Sequence, residues 1–205
     1  MSSAIRIGTL ALALVLVLVS GCAKVPQQEI DGAKAALDAA KTAEADRYAT
    51  SEFNAANDSL QAALALVETQ NSRLSVLRNY DHATVRLNAV TAAANTVRDE
   101  AINRKEGVRQ EVQTLLADIR MALVDAQRLI AAAPTGKEGR VVLNTMKGEL
   151  ATLETSLTQV TDLMTSGDYL TAREKAEVFK SKVLSIEDEL RTAIARHSAL
   201  KRKAS

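Results

Sequence analysis

The chain has 205 residues, with 26 Lys+Arg against 25 Asp+Glu, a formal net charge of +1 and one cysteine. That balance gives no electrostatic reason to expect nucleic acid as a partner, and a single cysteine excludes a disulfide framework within the monomer. Alanine fills about a sixth of the chain while aromatics are 2%, Pro 2 and Trp 0, a composition that favours helix, leaves few breakers and makes for a thin core.

The chain opens MSSAIRIGTLALALVLVLVSGC, with one positive charge at Arg6, an apolar run over residues 7–19 and the small pair Ser20 and Gly21. A membrane-spanning helix needs roughly 20 apolar residues, whereas the core of an export signal needs about 7 to 15. The pattern predicts a removable export signal over residues 1–21. Val19-Ser20-Gly21-Cys22 resembles the lipobox of bacterial lipoproteins. The resemblance implies cleavage between Gly21 and Cys22, a diacylglycerol on the Cys22 thiol and an acyl chain on the freed amine. The anchor is expected to be covalent lipid, with no other cofactor. Ala23, where an aspartate would signal retention, implies the outer membrane more than the inner, facing the periplasm. Removing the leader removes Arg6 and leaves 25 basic against 25 acidic residues.

Residues 22–29, with Pro26, read as a lipidated tether. From Ile30 apolar residues recur at three and four, the signature of helix. In a first helix Phe53, Leu60, Val67 and Leu74 form one row and Ala56 and Ala63 its companion; upstream, Ala33, Leu37 and Ala40 are weaker, and a turn is expected over residues 71–79. A second helix, over about 80–133, carries Tyr80, Ala83, Leu87, Val90, Ala94, Val97 and Ala101, then Val112, Leu115, Ile119, Ala122, Ala126, Leu129 and Ala133. Its apolar phase slips by one residue across Val108, next to Gly107, so a rotation of the buried face or a kink is expected there. About 50 residues of helix would be about 75 Å long. Pro134 and Gly136 stop it. A third helix places Leu143, Met146, Leu150, Leu153, Leu157, Val160 and Met164 on one stripe, Gly167 makes a turn, and a fourth carries Tyr169, Ala172, Ala176, Phe179, Val183, Ile186, Leu190 and Ala193.

The expected fold is all-α: an elongated antiparallel bundle of about four long, coiled-coil-like helices. Laying Tyr80 on Tyr169 without gaps brings Ala83 onto Ala172, Val90 onto Phe179, Val97 onto Ile186 and Asp99-Glu100 onto Asp188-Glu189. Two duplicated helical hairpins would produce that echo; so would any two heptad helices after sliding. The hairpins would cover residues 30–105 and 106–200, sharing the long helix, with a basic tail at 201–205.

Tyr48-Ala49, Phe53, Ala56, Leu60 and Ala63, followed by Asn79-Tyr80-Asp81, Ala83 and Leu87, resemble the spaced-alanine hairpins of a family of alanine-rich bacterial envelope lipoproteins of unknown function, tetratricopeptide-like in character. The resemblance spans about residues 22–105. Asn79 stands where that pattern has an acidic residue, which Asp168-Tyr169 keeps. The family implies a fold and a location and no activity.

No catalytic constellation is present: no HExxH, no glycine-rich phosphate loop, no GxSxG and no metal-spaced cysteines. His82 and His197 read as surface or helix-end residues rather than metal or haem ligands. Glu187, Asp188 and Glu189 form the densest acidic run, but successive helical residues point about 100° apart and cannot converge on one reacting atom; a solvated face is expected. Tyr48, Tyr80 and Tyr169 are expected to plug hairpin ends and use their hydroxyls on nearby backbone. Lys201, Arg202 and Lys203 could meet anionic lipid or peptidoglycan, or simply complement a helix dipole. The expectation is a non-enzymatic, lipid-anchored helical scaffold or adaptor, contacting an envelope protein or peptidoglycan, with no small-molecule substrate. The alternative is a helical-bundle protein carrying a small apolar or lipid ligand.

Overall fold

A computed structural model describes residues 24–134 and 137–204. Among the described residues the chain is helical, with no strand: α1 (Gln27–Thr42), α2 (Ala45–Tyr48), α3 (Thr50–Asn71), α4 (Asp81–Ala132), α5 (Lys137–Ser166) and α6 (Tyr169–Ala204), with a 3-10 turn, Ser75–Leu77, between α3 and α4. The all-α bundle expected from composition and periodicity is what forms. The chain divides into two compact units between Arg104 and Lys105, and α4, 52 residues long, contributes to both.

The first unit packs three helices around Ile30, Ala33 and Leu37 of α1, Ala56, Leu60, Ala63 and Val67 of α3, and Tyr80, Ala83, Leu87, Val90 and Ala94 of α4. Five of these twelve are alanine, so backbones can approach closely while each contact removes little apolar area from water. Two bonds fix the direction of α3 against α4. The Tyr80 hydroxyl donates to Asn71 Oδ1 at 2.7 Å near one end, and Arg104 Nη2 donates to Glu52 Oε1 at 2.7 Å near the other, so the two helices are antiparallel.

Where one first helix was expected, the structure has α1, α2 and α3. Glu44 adopts a left-handed backbone, φ 60, which reverses the chain and costs a non-glycine residue about 1 kcal/mol. The compensation is local: Ala45, Tyr48 and Ala49 are all buried just beyond it. The expected row also ends early. Leu74 lies outside α3 and is 73% exposed, because Arg78 closes that helix: its Nη2 donates to Asn71 O at 2.9 Å and its Nε to Arg73 O at 3.1 Å, satisfying carbonyls that would otherwise be orphaned at a helix end.

The second unit packs α4 from Val112 onward against α5 and α6, and its core is richer in large residues: Leu116, Ile119, Leu123 and Ile130 with Leu150, Leu153, Leu157, Val160, Val183, Ile186 and Leu190. Ion pairs give its directions. Glu111 meets Arg173 at 3.4 Å and Asp118 meets Lys180 at 2.6 Å; both partners advance by one heptad, so α4 and α6 are parallel and α5 runs back between them.

The phase slip in α4 is present as a rotation within one continuous helix. Ala101, Lys105, Val108 and Val112 step by four, three and four, with Lys105 and Val108 half-buried; an eleven-residue step turns the stripe the opposite way from a heptad. One consequence corrects the expected seam. Leu116, Leu123 and Ile130 are buried, while Leu115, Ala122 and Leu129 flank them. On α6 the last core position is Ile194, half-buried, rather than Ala193, which is exposed. The helix also continues through residues expected as tail, to Ala204.

The α5–α6 turn depends on Gly167, φ +84. Gly167 N donates to Met164 O at 3.4 Å and Asp168 N to Leu163 O at 3.0 Å, the paired bonds of a Schellman cap. An added Cβ at Gly167 meets nothing within 4 Å, so Gly167→Ala should be penalised by backbone strain alone, about 1 kcal/mol. Gly32 and Gly107 sit in helices with equally open surroundings, and alanine there should stabilise by about 0.5–1 kcal/mol. Urea melts of the three variants should therefore shift in opposite directions; a neutral Gly167→Ala would contradict the cap.

Candidate attachment segment and contact surfaces

Val19, Ser20, Gly21 and Cys22 lie outside the described residues, as does the leader before them. Description begins at Lys24, and α1 starts at Gln27, inside the stretch expected as tether, with Pro26 as its N-cap residue. Proline suits a helix start because the N–H it lacks would have no partner there.

The end of the first unit that holds the α3–α4 turn is tied by side chains. Asn79 Oδ1 accepts from Asp81 N at 2.8 Å and Asn79 N donates to Gln70 Oε1 at 3.1 Å, so Asn79 caps α4. Tyr80 is buried and uses its hydroxyl on the Asn71 side chain, not on backbone as expected. Ala83, one turn on, is buried against the same core. Beyond this polar clasp Leu74, Val76 and Leu77 stand in solvent. Sequence reasoning passed over Asn71 and Arg78; the signal was two polar residues bracketing an apolar tip.

Tyr48 and Phe53 belong to the other end of the first unit, where Tyr48 is buried, Phe53 half-buried and the Arg47 guanidinium sits 5.8 Å from the Tyr48 ring centre. Arg104 is the hub there: Nη1 donates to Tyr48 O at 3.1 Å, and Nη2 reaches Glu52 and also Glu100 on its own helix. Tyr169 and Ala172 open α6 in the second unit; Tyr169 is half-buried with Lys105 Nζ 5.8 Å from its ring centre, and Ala172 is buried. Tyr48 and Tyr80 thus plug opposite ends of the first unit, and Tyr169 opens α6 in the second.

With Tyr80 laid on Tyr169, burial follows the echo seen in the sequence. Ala83 and Ala172, Leu87 and Ala176, Ala94 and Val183, Val97 and Ile186, and Ala101 and Leu190 are buried in both copies, while Val90 is buried and Phe179 half-buried.

One acidic residue behaves differently from expectation. Glu187 is 7% exposed, set between Ile186 and Leu190 on the inner side of α6, and it accepts from Arg191 Nη2 at 3.1 Å; the (i, i+4) arginine keeps a buried carboxylate paired. Asp188 and Glu189 are exposed, as are His82 and His197. Among the described residues no group of three or more His, Cys, Asp or Glu could hold a metal ion, and no helix is long and apolar enough to cross a membrane. The grooves of the second unit are on its surface: about 540 Å³ between α4 and α5 beside Leu123 and Leu157, and about 710 Å³ between α5 and α6 beside Leu153 and Ile186.

Two exposed clamps shift their carboxyls. Glu106 is lowered from 4.5 to about 2, chiefly by hydrogen bonds from Arg109, then from Gln110; Arg109 donates twice at 2.7 Å. Glu52 is also lowered, chiefly by its hydrogen bond from Arg104. Both folded values lie below the unfolded one, so the stabilisation is complete above pH 4.5 and is lost as pH falls toward 2. Because the groups are exposed the effect should be modest and salt-sensitive. Urea midpoints should fall across that window and fall less in Glu106→Gln; an identical acid slope in the variant would contradict the clamp.

Comparison with protein-family models, with curated proteins and with solved structures finds no match.

Proposed function

We propose that the chain is a lipid-anchored helical scaffold or adaptor of the bacterial envelope, held at Cys22 and facing the periplasm. The observation that carries this reading is the short apolar leader ending in Val19-Ser20-Gly21-Cys22, placed only a few residues before α1 begins at Gln27. Acylation explains why the chain keeps one cysteine, at the junction between an apolar run and a helical body. Several acyl chains hold a protein to a membrane far more durably than one. Ala23 supports the outer membrane as the destination. The body then supplies surface rather than chemistry: two units with separate cores, sharing a long α4, and exposed apolar residues such as Met121, Val124, Val141 and Val142 on helix faces. The spaced alanines and tyrosines shared with alanine-rich envelope lipoproteins support the same reading.

Affinity capture of the acylated chain from envelopes tests the adaptor role, and stoichiometric recovery of an envelope protein or peptidoglycan fragment is expected. A carrier of small apolar ligands is the second reading, favoured by the groove of about 710 Å³ beside Leu153 and Ile186, a volume suited to a small ligand. Native mass spectrometry separates the two: a co-purifying apolar molecule lost in Ile186→Lys would favour the carrier.

A further inference from the structure

The α3–α4 turn and the start of α1 lie at the same end of the first unit. Helix α1 has 16 residues, about 24 Å at 1.5 Å per residue. Residues 43–49 include the one-turn helix α2, Ala45–Tyr48, and are too short to carry the chain back along α1. Helix α3 must therefore start where α1 ends and run antiparallel to it. Its 22 residues climb about 33 Å, so α3 ends about one and a half turns beyond the first residue of α1. Residues 24–26, in no helix, turn at Pro26, where Gln27 N donates to Val25 O at 2.8 Å, and cover part of that difference of about 9 Å. Lys24 thus lies within about 9 Å of the level of the turn, and Cys22 is only two residues before Lys24.

What this end exposes is unlike the rest of the unit. Leu74, Val76 and Leu77 are 73%, 77% and 62% exposed, three large aliphatic side chains at the cap of a short 3-10 turn and along it. Arg73 and Arg78 flank them, Lys24 belongs to the same end of the unit, and Asp81 is the nearest acid along the chain. The Arg78 guanidinium is held in place by Asn71 O and Arg73 O, so the turn is preformed and the apolar tip does not fold back onto the core. Aliphatic side chains at a tip, ringed by cations, match the boundary between acyl chains and anionic headgroups.

We propose that the tip of the α3–α4 turn inserts Leu74, Val76 and Leu77 into the surface of the anionic bilayer that holds the lipidated Cys22, as a second membrane contact that orients the first unit. This rests on the lipid-anchor reading for its location, while the tip's own chemistry is independent of it. A second contact converts a swivelling tether into a fixed posture, with α3 and the first part of α4 rising from the membrane.

The chain contains no tryptophan, so one introduced residue reports its own surroundings. The acylated full-length Val76→Trp chain in phosphatidylglycerol-containing vesicles with brominated acyl chains should emit blue-shifted light and be quenched severalfold more than Ala55→Trp, near the start of α3. Adding Leu74→Ser and Leu77→Ser to Val76→Trp should abolish most of that quenching. Equal, water-like emission from both probes on chains that still float with the vesicles would overturn the tip contact and leave the anchor standing, as expected if a protein covers the tip. Quenching that persists in the doubly serine-substituted chain would also overturn it, since the tryptophan alone would then be inserting. Strong quenching at position 76, abolished by the serines, in a chain whose mass shows no acyl group would support the tip while removing the anchor.

Discussion

Leu87→Ala is expected to lower the stability of the first unit by about 3 kcal/mol, within the range for large-to-small changes at fully buried sites. Leu87 is fully buried on α4, in a core whose other members include Ala33, Ala36, Ala56 and Ala63. Alanine neighbours have no rotamers with which to fill the space, so the cavity should stay open and the cost should sit well above simple transfer of the lost atoms. A domain of this size has about 5–15 kcal/mol in hand, so a large share of its margin would go. Val85→Ala, two residues earlier but exposed, should stay within about 0.5 kcal/mol. Chemical denaturation followed by circular dichroism checks the energies. Hydrogen exchange resolved by peptide checks the location: faster exchange should be concentrated between Gln27 and Arg104. Leu87→Ala behaving like Val85→Ala would mean that the first core is not the cluster described.

Cys22→Ala is expected to have the largest effect on where the protein is found. Without the thiol there is nothing to receive the diacylglycerol, and the cleavage that the lipobox resemblance implies should fail with it. The variant should accumulate as a heavier precursor with its leader attached, and processing to the acylated form should fall below detection. The helical signal of the body should not change, because every described helix, from Gln27 onward, keeps its sequence. Full recovery of a correctly processed, membrane-fractionating Cys22→Ala form that keeps every captured partner would remove the mechanism of tethering.

Helix and turn were legible where large apolar residues repeat and breakers are strong. Leu143 to Val160 and Ala172 to Leu190 could be read directly from steps of three and four, and Gly167 marked its turn by the backbone it must adopt. Legibility failed where alanine dominates. Between Ala33 and Ala49 most phases offer an alanine, so periodicity could not show that the stripe jumps from Ala40 to Ala45. The left-handed turn at Glu44 has no glycine or proline to announce it, since burial of Ala45, Tyr48 and Ala49 just beyond it offsets the strain. Leucines are ambiguous in another way: Leu115 and Leu116 are adjacent, and only the eleven-residue step through Lys105 and Val108 decides which faces inward.

At the sites the division is similar. That Tyr80 and Tyr169 would sit near helix starts followed from their positions beside turns, whereas Tyr48 fell inside what read as one long first helix. The partners did not, because Asn71 for Tyr80 and Lys105 for Tyr169 are set by neighbouring chain directions. Glu187 looked like one of three solvated acids, and only its place between Ile186 and Leu190 on the inner face, with Arg191 one turn on, shows why it is buried. The exposed tip at Leu74, Val76 and Leu77 was hidden by a plausible heptad row that the cap from Arg78 ends early.

The most direct measurement is the intact mass of the native protein together with the mass of its amino-terminal peptide. The account predicts that residues 1–21 are missing and that Cys22 is the first residue, carrying a diacylglycerol on sulfur and an acyl chain on nitrogen. An unacylated polypeptide with its leader in place would contradict it.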